Sequence, residues 1–158
     1  MSLVRNIVGV LVGFLAAAFV VMVGFLGGML LLGREFVLEP GGYNASVSWL
    51  VVSSFITIIG GIIGGLCCML ITGRTRAYTV LAAIIFVMGV AGGILGSGRP
   101  EPPARPDEQG VMELMQQLEE HGREPLYTRI TNPIYGAGGV LLAGLLAARV
   151  RRARTESP

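Results

Sequence analysis

Charge is missing from most of this chain. Residues 6–33, 49–73, 77–98 and 133–148 contain no Asp, Glu, Lys or Arg. Pumps, proton-coupled carriers and intramembrane enzymes rely on ionisable groups at depth, so these runs argue against all three. Cysteine is scarce too: Cys67 and Cys68 are adjacent and there is no third. Neighbours on a helix point about 100° apart, so the pair is badly placed to bond to each other. No disulfide framework is expected, and both thiols read as small apolar packing groups, with acylation the functional alternative. His121 is the one histidine. Glu119, Glu120 and His121 are consecutive and diverge around a helix, so no metal site is expected. No phosphate loop, nucleophile elbow or zinc-helix motif occurs. The expectation is no enzyme, no cofactor and no catalytic residue. Lysine is absent, all twelve basic residues being arginine, a bias that points to a GC-rich bacterial genome.

What is present is apolar. The chain is 53% hydrophobic and 14% charged, against roughly 25% charged in soluble domains. A spanning helix needs about 20 apolar residues, and each run approaches or exceeds that. We expect an all-α integral membrane four-helix bundle, one domain over residues 1–158, with spans near 6–33, 49–73, 77–98 and 130–149. Arg5 and Ala16-Ala17-Ala18 imitate a signal peptide. The apolar run continues to Gly33, so an uncleaved anchor is expected. The fourth run is short and should begin earlier, near Tyr127. Pro133 suits a first helical turn and Asn132 an N-cap. Trp49, Tyr127 and Tyr135 should mark the outer interface and Tyr78 the inner one.

The arginines set a topology. Arg5, then Arg74 and Arg76, then Arg149, Arg151, Arg152 and Arg154 fall in three segments whose only acid is Glu156. The segment 34–48 has one arginine against Glu35 and Glu39, and 99–132 has four arginines against seven acids. Basic segments favour the cytoplasmic side, so both termini are expected there, in a bacterial inner membrane. The net charge of +2 is too small to suggest nucleic acid. The expected partners are membrane lipid and other membrane proteins, or the chain itself.

Glycine is abundant, with 24 residues, and recurs at four-residue spacing. Gly9 and Gly13 continue to Ala17. Gly24 pairs with Gly28, Gly60 with Gly64, Gly61 with Gly65, Gly89 with Gly93 and Gly92 with Gly96. Gly139 continues to Ala143 and Ala147. Lipid tails are as apolar as leucine, so close backbone approach must hold helices together, and small residues permit it. These positions are the candidate helix-packing residues. Ser53, Ser54 and Thr57 add hydrogen-bonding capacity. Residues 24–34 and 89–99 match at six of eleven positions: four glycines, a leucine and the closing arginine. That pattern suggests a duplicated two-helix hairpin.

The polar loop 99–132 opens with Pro100, Pro102, Pro103 and Pro106, a stiff extended stretch. Asp107 then caps an expected helix to about His121, with Gly122 as its stop. Val111, Leu114, Met115 and Leu118 share one face. That face either folds over the outer end of the bundle or docks a partner. The leading functional expectation is a non-enzymatic accessory or scaffold subunit. The alternative is a small permease or lipid-handling protein for an apolar substrate, which needs no buried charge.

Overall fold

The structure is a computed structural model and describes residues 2–73, 75–95, 113, 116–117 and 125–155. It is an all-α four-helix bundle. The helices are α1 (Ser2–Leu32), the short α2 (Arg34–Val37), α3 (Val47–Thr72), α4 (Thr75–Leu95) and α5 (Leu126–Thr155). Within them, Leu3–Leu32, Val47–Thr72, Ala77–Leu95 and Tyr127–Ala147 are long and apolar enough to cross a membrane. By length and composition the chain is a multi-pass membrane protein. The outward faces agree, since Leu11, Leu15, Phe19 and Met22 of α1 all lie exposed. Such a surface suits lipid and is a liability in water.

Helix ends follow local chemistry. α1 stops where Gly33 takes a φ of 78°, a left-handed geometry that side chains disfavour. Ser46 is the N-cap of α3, its hydroxyl accepting from the Trp49 amide at 3.0 Å. Gly73, at φ 65°, closes α3 by returning its N–H to the Met69 carbonyl. α1 is 31 residues long, about 46 Å at 1.5 Å per residue, and so exceeds a hydrocarbon core of about 30 Å.

Contacts fix the topology. α1 and α3 are antiparallel: Gly9 faces Cys68 and Thr72, Gly13 faces Gly64, and Gly28 faces Trp49. α4 and α5 are antiparallel too, with Gly93 on Arg129, Gly89 on Pro133 and Gly144 on Tyr78. α3 and α5 run parallel, since Gly61 meets Gly136 while Gly65 meets Val140 and Ala143. The two hairpins therefore join through their second helices. α1 and α4 flank that centre and meet where Leu81 reaches Gly13. One end of the bundle carries the start of α1, the α3–α4 turn and the end of α5. The other carries α2 and the segment leading to α3.

Two sequence expectations are corrected here. Asn132 is not an N-cap and Pro133 is not in a first turn, because α5 begins at Leu126 and holds Pro133 inside it. An interior proline has no N–H for the carbonyl four residues earlier, which is that of Arg129. Membrane helices tolerate this where neighbours fill in, and the Pro133 ring lies against Gly89, which has no side chain to obstruct it. Trp49 and Tyr78 stand near the starts of α3 and α4, with their rings turned into the bundle. Both are 7% exposed, each laid over a glycine of the opposing helix, Gly28 and Gly144 respectively. Tyr127 is exposed. The helix expected over 107–121 lies outside the described residues except for Glu113, Gln116 and Gln117, which are helical.

Candidate functional site in the glycine seams

Three seams run through the bundle, and glycine sets the separation in each. Between α1 and α3, a Cβ on Gly13 would stand 2.7 Å from the Gly64 carbonyl oxygen, and one on Gly64 2.6 Å from that of Gly13. Carbon and oxygen in contact need over 3 Å, so neither position accepts even alanine without the helices parting. A Cβ on Gly60 would meet Val21 and the Ala17 carbonyl, and one on Gly24 would meet Ile56. Gly9 is closed by Thr72 and Cys68. Between α3 and α5, Gly61 faces the Gly136 backbone and Gly139 faces the backbone of Ile58, Gly61 and Ile62. Gly65 faces Val140 and Ala143, and Ala143 is fully buried. Ala147 packs on the same core cluster as Tyr78, Leu81 and Val140. Between α4 and α5, Gly89 and Gly93 receive Pro133 and Arg129. Spacing of four puts successive small residues on one face, which is why each seam stays narrow for several turns.

Not every glycine is used. Gly27, Gly92 and Gly138 have nothing within 4 Å of where a Cβ would project. Among the described residues Gly92 therefore packs against nothing, unlike the other described glycines of the sequence-derived set. Gly96 lies outside the described residues. The matched segments also behave alike. Gly24 and Gly28 of α1 correspond in sequence to Gly89 and Gly93 of α4. In each pair both glycines receive side chains from the next long helix. Between them, Gly27 and its counterpart Gly92 are both open. Matching residues thus play matching roles in two hairpins.

A polar strip lines the α3–α5 seam. The register that sets Gly61 against Gly136 brings Thr57 level with Asn132 one turn away, and Ser53 level with Thr128 a turn beyond. Ser53 and Thr128 are buried. The hydroxyls are satisfied along their own chain: Ser53 donates to the Leu50 carbonyl, Thr57 to that of Ser53 and Thr128 to that of Pro125. Asn132 Oδ1 is buried and lacks a hydrogen-bond partner. A buried acceptor left unpaired costs about 1–3 kcal/mol. It is the single such side-chain atom among the described residues.

The end near α2 has a small core of its own, which sequence reasoning missed. Val37, Leu38, Tyr43 and Trp49 are buried together, with Phe25 and Met29 against them. Phe25 and Trp49 pack edge to face at 5.4 Å between centroids. Leu38 and Ala45 form an isolated antiparallel bridge around the turn at 39–42, and Gly41 takes a φ of 70°. Ser46 fastens this segment twice, capping α3 and donating to the Phe36 carbonyl. Tyr43 is 1% exposed and its hydroxyl donates to Gln117 Oε1. Residues of the two polar segments therefore meet over this end. Glu39-Pro40-Gly41-Gly42, between Leu38 and Tyr43, is a turn signal that marks the fold of this cap. The sequence-derived docking residues, Val111, Leu114, Met115 and Leu118, lie outside the described residues.

Among the described residues, no three of His, Cys, Asp and Glu come close enough together to hold a metal ion. No family model, no curated protein and no solved structure matches this chain.

Proposed function

We propose that the chain is a non-enzymatic accessory or scaffold subunit that associates within the membrane with other membrane proteins or with further copies of itself. The observation that carries this reading is the contrast among the glycines. Most of those in the spans are closed by a neighbouring helix, whereas Gly27, Gly92 and Gly138 meet none of the described residues. Open small residues let another helix approach closely, and Gly27 and Gly92 offer that feature at equivalent places in the two hairpins. The spans support the same reading, because they carry no acid and only Arg5 and Arg129 near their ends, and so supply no acid–base pair. Arginine placement supports both termini in the cytoplasm, and the absence of lysine supports a bacterial inner membrane. A permease for an apolar solute fits less well. Its path would need room between helices, and the α1–α3 and α3–α5 seams bring backbone against backbone.

The test is co-purification from native membranes in a mild detergent, with Gly27→Leu, Gly92→Leu and Gly138→Leu beside the wild type. The expected result is a stoichiometric membrane-protein partner, or a homo-oligomer, weakened by at least one of these substitutions while the bundle stays folded. Charging Leu114 and Leu118 tests the polar-loop surface in the same assay. A monodisperse, partner-free wild-type chain would count against the proposal.

A further inference from the structure

The topology collects cations at one end. Arg5 lies in the opening turn of α1, Arg76 is the second residue of α4, and Arg149, Arg151, Arg152 and Arg154 occupy the last two turns of α5. All three places belong to the same end of the bundle. None of the four long helices carries an Asp or Glu, so no acid within them neutralises these charges. The described ion pair, Arg34 with Glu35 at 3.2 Å, lies at the opposite end.

Helix dipoles do not explain the set. A dipole favours cations at a C-terminus, which suits the last turn of α5. It disfavours them at an N-terminus, where Arg5 and Arg76 stand. Arg5 is held in place by donating Nε to the Ile71 carbonyl of α3 at 2.5 Å. Arg149 is exposed. What the six share is position at the ends of the apolar windows, Arg5 just inside one, Arg76 just before another and the four of α5 beyond a third. α5 leaves its apolar window at Ala147 and stays helical to Thr155. Its four arginines thus lie about 3–10 Å beyond that window at 1.5 Å per residue. The Debye length is about 8–10 Å at ordinary ionic strength, so each of them feels a charged headgroup layer.

We infer that this end of the bundle is a binding collar for anionic phospholipid headgroups, with the projecting turns of α5 as its principal part. The partner is the lipid phosphate at the bilayer surface. Clusters of four or more arginines next to a spanning helix attract such lipids strongly.

The experiment uses the purified full chain in mixed micelles of detergent with equimolar phosphatidylcholine and phosphatidylglycerol, followed by quantification of the lipid retained. At low salt, phosphatidylglycerol should be enriched about threefold or more over phosphatidylcholine. At about 0.5 M NaCl the enrichment should fall towards parity, because screening shortens the interaction. Replacing Arg149, Arg151, Arg152 and Arg154 together by Gln should at least halve it, and replacing them by Lys should preserve it. Should the Gln variant fail to insert, the salt dependence of the wild type decides the matter alone. Parity in the wild type at low salt, or enrichment indifferent to salt, overturns the inference. So does a folded Gln variant that retains lipid as the wild type does. Parity in lipid with salt-sensitive capture of an acidic protein also overturns it, in favour of a protein partner.

Discussion

Replacing Gly61 with alanine adds one methyl group where the structure has no space for it. The added Cβ would lie on the Gly136 carbonyl, 3.1 Å from its carbon and 3.2 Å from Gly139 Cα. These are backbone atoms of a helix, so no rotamer change relieves the overlap and α3 and α5 must separate by about 1 Å. A gap of that size forfeits a quarter to a half of each dispersion contact along the seam. Overpacking of this kind costs about 1–3 kcal/mol, with the upper part expected because both partners are backbone. Alanine also favours helix over glycine by about 1 kcal/mol, which masks part of the loss. Gly27→Ala supplies the correction: it carries the same propensity gain and meets nothing within 4 Å. The difference in unfolding free energy between the two variants should be about 2–3 kcal/mol, a ratio of about 30–150 in the folding equilibrium. The assay is reversible unfolding in mixed micelles, followed by helical circular dichroism. If Gly61→Ala and Gly27→Ala unfold alike, the α3–α5 seam is not where the structure places it.

The remaining predictions concern the cap, the core around Tyr78 and the polar strip. Trp49 is the only tryptophan and its ring covers Gly28, so Gly28→Leu should expel it and shift its emission to the red; unchanged emission would refute that packing. Tyr78→Ala removes a ring from the core cluster with Leu81 and Val140 and should cost about 3–5 kcal/mol, measured as in the Gly61 assay. Ser46→Ala deletes the cap of α3, and about 1 kcal/mol of protection at the Trp49 amide should be lost in hydrogen exchange. Asn132→Leu removes an unpaired buried acceptor and should leave stability unchanged or raise it by about 1 kcal/mol; a clear loss would show that the amide is engaged.

The spans and the small-residue faces were legible because each depends on local order in the sequence. A run without charge has one stable home, and a four-residue repeat stays on one helix face whatever it meets. Which faces meet was not legible. Only two residues separate α3 from α4, yet the helix that α3 packs against in parallel is α5, and nothing in the periodicity of Gly61 and Gly65 names Gly136 or Val140 as neighbours. Trp49 shows what a sound rule leaves open. Aromatics gather at membrane interfaces because one end is apolar and the other wet, but the rule does not say which way the ring turns, and Gly28 opposite leaves a recess for the indole. Pro133 was misplaced because its fit to a first turn conflicts with the helix start expected near Tyr127, and Arg129 and Thr131 break the apolar run between the two. Tyr43 went unread because its burial depends on a fourteen-residue segment, residues 33–46, folding back on Trp49 and Phe25, a tertiary event without a period.

The central claim is that this bundle works as part of a larger membrane assembly. The most direct measurement is the mass of the particle that contains it, extracted from native membrane with its surrounding lipid and without detergent. The account expects a particle holding a second polypeptide, or further copies of this 16.6 kDa chain, at a fixed ratio. A particle with one copy of the chain and lipid alone would contradict it.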